Sequence, residues 1–267
     1  MKTYLGIQGY SKAFVKFSCL DEHVRLGQTL WNRFIKIEHT LSLKDEPVFA
    51  ILKQRTSEWR SEIAKKALVA VNCFFTQYEE LTTPEGCALY VAWAAPQNKF
   101  DTDKNGRRII IPPKVYPYMW KEAIETAPGS FETKGAFRHP CIIETFAYFM
   151  ETISQVPKEV QEKQGYFPIA ALALCTAAVE RAFKFYKTGK LVIPHKRSAR
   201  KFSKHLWGFA TGEIIRATRK LSPKQWGKLK ELTMEYTEGI MGQSEEFMCE
   251  KAGVRTGRAL CIEEDSD

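Results

Sequence analysis

Apolar residues recur at helical spacing along most of the chain, which predicts a mostly α fold: a single multi-helix globular domain of roughly seven to nine helices. Val24, Leu26, Leu30, Phe34 and Ile37 predict a first helix within 22–40. Asp45-Glu46-Pro47 is a helix-start signal, and Trp59, Ile63, Ala67, Ala70 and Phe74 then share one face, so one or two helices fill 47–80. Thr83-Pro84-Glu85 starts a short helix that ends before Pro96. His139-Pro140 opens another, with Ile142, Ile143, Phe146, Phe149, Met150 and Ile153 inward. Pro168 opens the most apolar segment, PIAALALCTAAVERAFKFYKTG, which reads as the central core helix and stops at Gly189.

The period changes at 97–118. Asp101, Asp103, Asn105 and Gly106 mark a turn, and Arg107-Arg108-Ile109-Ile110-Ile111 is a strand-like run stopped by Pro112-Pro113, so a small β-hairpin-like excursion is expected there. Further on, 196–219 reads as an amphipathic helix with Phe202, Leu206 and Phe209 inward and Arg197, Lys201 and Lys204 outward. Ser222-Pro223-Lys224-Gln225 is a capping-box pattern that starts a last helix, packing Trp226, Leu229 and Met234. The expected organisation is a helical domain over 1–238 and a polar, acidic, partly disordered tail over 239–267.

Charge changes this picture more than composition does. The formal net charge is +9, yet Arg181–Lys230 holds 15 Lys and Arg against one acid, Glu213. Residues 231–267 hold three basic and ten acidic residues, and the rest of the chain is near neutral. Lys196, Arg197, Arg200, Lys201, Lys204, Arg216, Arg219, Lys220, Lys224 and Lys228 thus form a candidate polyanion-binding surface, with Phe202, Trp207 and Trp226 interleaved. KRSARK (196–201) also fits a nuclear-import address. The competing reading is a set of solvated helix faces offset by the acidic segment that follows.

The remaining chemistry is sparse. Seven widely spaced cysteines without a CxxC favour reduced thiols in the cytosol or nucleus. No membrane span or signal peptide is expected, because no apolar run approaches the length a bilayer needs. Asp101–Gly106 matches the first half of a calcium loop, but Pro112 stands where the bidentate glutamate belongs, so a polar hairpin turn is the preferred reading. No metal or cofactor is expected, since metal-ligand spacings and phosphate-binding glycine loops are both missing from the sequence. His139 and Cys141 fit a cysteine–histidine nucleophile only weakly; a capping histidine and a buried cysteine fit as well. Glu180 either faces solvent beside Arg181 or is a buried, paired acid.

Three stretches carry a family resemblance: GAFRHPCIIETFAYF, GYFPIAALALCTAAVERAFKFYKTG and KFSKHLWGF. Phe137, Arg138, His139, Pro140, Tyr166, Phe167, Pro168, Ile169, Thr176, Ala177, Val179, Glu180, Thr188, Gly189, His205 and Leu206 match the pattern, with Ala170 where a second proline is usual. Arg60 and Glu62 fit its upstream helices. The chain resembles, over roughly 20–235, a helical domain of unknown function widespread in proteins of mushroom-forming fungi. The resemblance implies a helical fold and no particular chemistry, and it draws attention to Arg138, His139 and Glu180 as polar residues that would meet in the folded bundle. Taken together, the sequence favours a binding module for nucleic acid or another polyanion, nuclear or cytoplasmic. A protein-interaction domain docking an acidic protein is the alternative. An enzyme with a pocket near His139, Cys141 and Glu180 is third.

Overall fold

The computed structural model describes residues 24, 27–29, 31, 32, 38–42, 47–154, 167–195 and 201–241. Val24, Gly27–Thr29, Trp31 and Asn32 are helical, within the first expected helix. The main helices are α1 (Pro47–Gln77), α2 (Pro84–Ala94), α3 (Pro140–Ser154), α4 (Ile169–Phe185), α5 (Lys204–Thr218) and α6 (Pro223–Met241). Two antiparallel hairpins interrupt them: β1 (Lys99–Thr102) with β2 (Arg108–Ile111), and β3 (Trp120–Ala127) with β4 (Ser130–Ala136). The fold is mostly α.

Local chemistry sets several boundaries. Thr83 caps α2, its Oγ1 accepting from the Gly86 amide at 3.1 Å, with Pro84 in the first turn. At α6 the capping box is reciprocal: Ser222 N–H donates to Gln225 Oε1 at 2.7 Å and Gln225 N–H donates to Ser222 Oγ at 3.3 Å. Beyond α4, Gly189 adopts φ 79°, and a Cβ there would lie 1.9 Å from the Pro84 carbonyl oxygen. Glycine lets this turn press against the start of α2.

α1, α3 and α4 pack against one another, α5 lies on α4, and α6 lies on α3. α4 is therefore enclosed on several sides, and all its residues but Ile169 and Lys184 are buried. Its alanines let the neighbouring helices approach, while Leu172, Val179 and Phe183 fill the remaining space. α1 contributes Ile63, Ala67, Ala70, Val71 and Phe74, close to the stripe its sequence predicts.

Three features depart from the sequence reading. The hairpin at 99–111 is present, but the β3–β4 hairpin has no counterpart among the expected elements. Most of its side chains are exposed, so it lacks the alternating apolar pattern that marks a half-buried strand. The helix expected over 196–219 begins at Lys204, with Ser203 extended at its N-cap and 201–203 outside it. Its inner face is also different. Thr211, Ile214, Ile215 and Thr218 are buried, whereas Leu206 is 45% and Phe209 is 82% exposed. The true stripe starts from Trp207 and includes two threonines, whose polar type hides it in a hydrophobicity reading. Thr211 satisfies its hydroxyl by donating to the Trp207 carbonyl at 2.8 Å. In α6, Trp226 and Leu229 are buried as expected, but Met234 is exposed and Thr233 takes the inward position.

Candidate functional site

Two sets of residues carry the chemistry singled out by the sequence: polar side chains around α3 and α4, and cations on α5 and α6. The first set begins at the corner between β4 and α3. Phe137 holds a left-handed φ of 59° with its ring buried, and its amide donates to the Met119 carbonyl at 2.5 Å. This conformation is uncommon outside glycine and is held here by the buried ring and that hydrogen bond. The chain then turns so that His139 precedes α3.

His139 Nδ1 accepts from the Cys141 amide at 3.3 Å, and its Nε2 lies 2.9 Å from the Tyr90 hydroxyl. The first contact leaves the proton on Nε2, which donates to the Tyr90 oxygen. The ring sits among Phe74 and Phe183, and burial lowers its pKa to about 4. Cys141 turns away from the imidazole: its thiol donates to the Ala70 carbonyl at 3.7 Å, and burial pushes its pKa well up. A nucleophile needs the reverse, a thiolate beside a base. His139 and Cys141 thus take the capping and buried roles.

Glu180 is buried. Its Oε2 accepts from the Tyr118 hydroxyl at 3.1 Å and its Oε1 lies 2.5 Å from Lys184 Nζ. Lys184 also sits 4.9 Å from the centre of the Trp207 ring on α5. The polar residues of the family pattern accordingly do not pair with one another. Phe183 separates them, touching His139 on one side and Tyr118 on the other. Arg138 joins neither anchor, and its buried Nε lacks a hydrogen-bond partner. Glu144 on α3 forms a third anchor: burial raises its pKa, opposed by a hydrogen bond from Tyr236 of α6 and by Lys66. Tyr90, Tyr118 and Tyr236 come from distant segments, so no local spacing signals these pairings.

The second set lies at the surface. Lys196, Arg197 and Arg200, and with them most of KRSARK, fall outside the described residues. Lys201 precedes α5 and Lys204 opens it, both exposed. Arg216 pairs with Glu213 one turn away, and Arg219 and Lys220 are exposed where α5 ends. Lys224 is exposed in the first turn of α6, and Lys228 pairs with Glu231 at 3.0 Å. Among the described residues, Lys201, Lys204, Arg219, Lys220, Lys224 and Lys230 have no ion pair. Around α5, a helix about 22 Å long at 1.5 Å per residue, they divide between Lys201 and Lys204 at one end and Arg219 and Lys220 at the other, with Lys224 and Lys230 on α6.

The interleaved aromatics are not positioned for a ligand. Trp226 is buried and stacks on Phe167 at 5.3 Å, and Phe202 and Trp207 pack half-buried at 6.0 Å from each other. Phe209 is the aromatic side chain that α5 exposes, and the mis-phased helix face concealed it.

The Asp101–Gly106 turn uses its carboxylates internally. Asp103 Oδ1 accepts from the amides of Asn105 and Arg107, both at 2.8 Å, which makes it the cap of the β1–β2 turn. Among the described residues, no cluster of three or more His, Cys, Asp and Glu side chains is placed to hold a metal ion, and no helix is long and apolar enough to cross a membrane.

No curated protein and no solved structure matches the chain. A family model does, over residues 12–211, which span α1 to the middle of α5 and include both the His139 and Glu180 anchors. The chain belongs to that family, the domain of unknown function DUF6532.

Proposed function

We propose that this protein is a binding module for a polyanion, nucleic acid first among them, and that α5 with the start of α6 is its binding surface. One observation carries this reading. Lys201 and Lys204 sit at the N-terminal end of α5, the positive end of the helix dipole, where cations cost stability. The first turn holds no acid, and the N-cap Ser203 makes no side-chain cap. Free backbone amides and two lysines together favour a phosphate. Arg219 and Lys220 at the other end complement the dipole and have a structural reason to be basic. Lys201 and Lys204 do not.

In this reading residues 1–238 form the module and 239–267 an acidic tail, and the import-type run KRSARK directs the protein to the nucleus. Binding is sequence-tolerant because the cations meet phosphates rather than base edges. Titration of labelled DNA and RNA across a salt series tests it. Affinity should fall linearly in log salt, with a slope of about −3 to −5 for some five phosphate contacts. Joint replacement of Lys201, Lys204, Arg219 and Lys220 by Glu should abolish binding while the helical signal stays unchanged. Failure to bind any strand at low salt refutes the reading and leaves an acidic protein partner as the alternative.

A further inference from the structure

Phe209 is the most exposed of the large apolar side chains among the described residues, and its surroundings are specific. The buried stripe of α5 runs through Trp207, Thr211, Ile214, Ile215 and Thr218, so the opposite face carries His205, Phe209, Gly212 and Arg216. His205 lies one turn before Phe209 and Gly212 one turn after, with Arg216 a further turn on. A Cβ at Gly212 would meet nothing within 4 Å, so the backbone beside the ring is bare and open. Packing therefore does not require this glycine, although glycine costs a helix interior about 1 kcal/mol against alanine. Leu206 extends the apolar patch on one side. Lys201 and Lys204 stand at the N-terminal end of α5, Lys204 one turn before Trp207 and to the side of this face, and Arg219 and Lys220 stand at the C-terminal end.

From this geometry we infer that the outer face of α5 is a stacking platform for single-stranded nucleic acid, with Phe209 receiving a base and the flanking cations holding phosphates on both sides. The inference rests on the polyanion reading and specifies it. An aromatic face set between two cationic clusters suits a chain that alternates flat bases with charged phosphates. A duplex keeps its bases stacked internally and offers Phe209 only its backbone. Glu213 shares this face and pairs with Arg216, so a phosphate competes with that carboxylate for the guanidinium. The helix length suits a strand of about four nucleotides, the lower end of known single-strand sites. An acidic protein would use the same cations without needing an exposed ring beside a bare backbone.

The test compares three labelled nucleic-acid probes by fluorescence anisotropy, an oligothymidylate, an abasic strand of equal length and a duplex, with labelled polyglutamate as the acidic-protein control. The intact chain should bind the oligothymidylate more tightly than the abasic strand. Phe209→Ala should weaken oligothymidylate binding on the order of tenfold and leave the abasic strand unchanged. Phe209→Trp should retain or improve it. The side chain is exposed, so both variants should keep the unfolding midpoint of the parent. Equal affinity for oligothymidylate and abasic strand, or indifference to Phe209→Ala, overturns the stacking site while the polyanion reading stands. Absence of binding to all three overturns both. If Phe209→Ala weakens polyglutamate binding but not oligothymidylate binding, the platform serves an acidic protein and the inference is wrong.

Discussion

Glu180 and Lys204 lie on packed neighbours, α4 and α5, yet the fold treats their charges in opposite ways. Glu180 is buried with a tyrosine hydroxyl on one oxygen and a lysine on the other, and His139 is buried with a partner at each ring nitrogen. Lys204 and Lys201 stand in solvent, with no acid paired to them among the described residues, at the helix end where positive charge is least welcome. Buried polar groups in folded proteins are nearly always satisfied, so the first arrangement needs only stability to explain it. The second is not explained by stability. His139 and Glu180 of the family pattern prove to be internal anchors, while Lys201, Lys204 and Phe209 face solvent.

The comparison predicts large stability effects around α4 and small ones on α5. The largest is expected at Phe183, which is fully buried and contacts Phe74, Phe75, Tyr90, Tyr118 and His139. Phe183→Ala should cost about 3–5 kcal/mol in urea unfolding, because the rings around it cannot close the space. A cost below about 1 kcal/mol would mean that the core is looser than these contacts describe.

His139 supplies a pH dependence of definite sign. Its folded pKa of about 4 lies below the usual 6.5, so the unfolded chain takes up a proton that the folded chain refuses. The stability tied to this group is complete above pH 6.5 and is lost as the pH falls toward 4, by about 3 kcal/mol in total. Glu144, whose pKa is raised, acts in the opposite sense as its carboxyl protonates. Comparing the pH dependence of the parent with that of His139→Asn, which keeps a capping side chain, isolates the histidine. A difference that stays flat between pH 4 and 6.5 would show the imidazole open to water.

Next is the Glu180 anchor. Glu180→Leu should cost about 2 kcal/mol, because it strands the fully buried Tyr118 hydroxyl. In a Tyr118→Phe background the same change should cost about 1 kcal/mol less, since no hydroxyl is left unpaired. Lys184 is half exposed and can turn to water, which keeps the penalty below that of a fully buried pair. Additive costs would mean that the 3.1 Å contact contributes nothing.

What the sequence made legible follows the same division. Helix caps are local chemistry, so Thr83-Pro84, His139-Pro140 and Ser222–Gln225 could be read directly, and α4 announced itself by being apolar all round. The tyrosine partners of His139 and Glu180 could not, because Tyr90 and Tyr118 reach them across 49 and 62 residues of chain. The β3–β4 hairpin escaped because its strands bury little. The face of α5 was misplaced for a different reason. Two of its inward residues are threonines that satisfy their own hydroxyls, and two of its outward residues, Leu206 and Phe209, are the apolar types expected inside. A helix that hides threonine and displays phenylalanine defeats a pattern built on burial.

The smallest expected effect separates the two regions most cleanly, because its sign differs from that of an ordinary surface change. Lys204→Glu places an acid in the first turn of α5, where the dipole favours it, so the variant should be more stable than the parent by about 0.3–1 kcal/mol. Lys220→Glu, at the opposite end, should lose a similar amount. If these lysines are only solvated helix faces, neither change should alter polyanion affinity. If α5 is a binding surface, both should weaken it, and Lys204→Glu should do so while raising the unfolding midpoint. A loss of stability from Lys204→Glu would mean that this lysine makes a stabilising contact and is not a charge misplaced against the dipole.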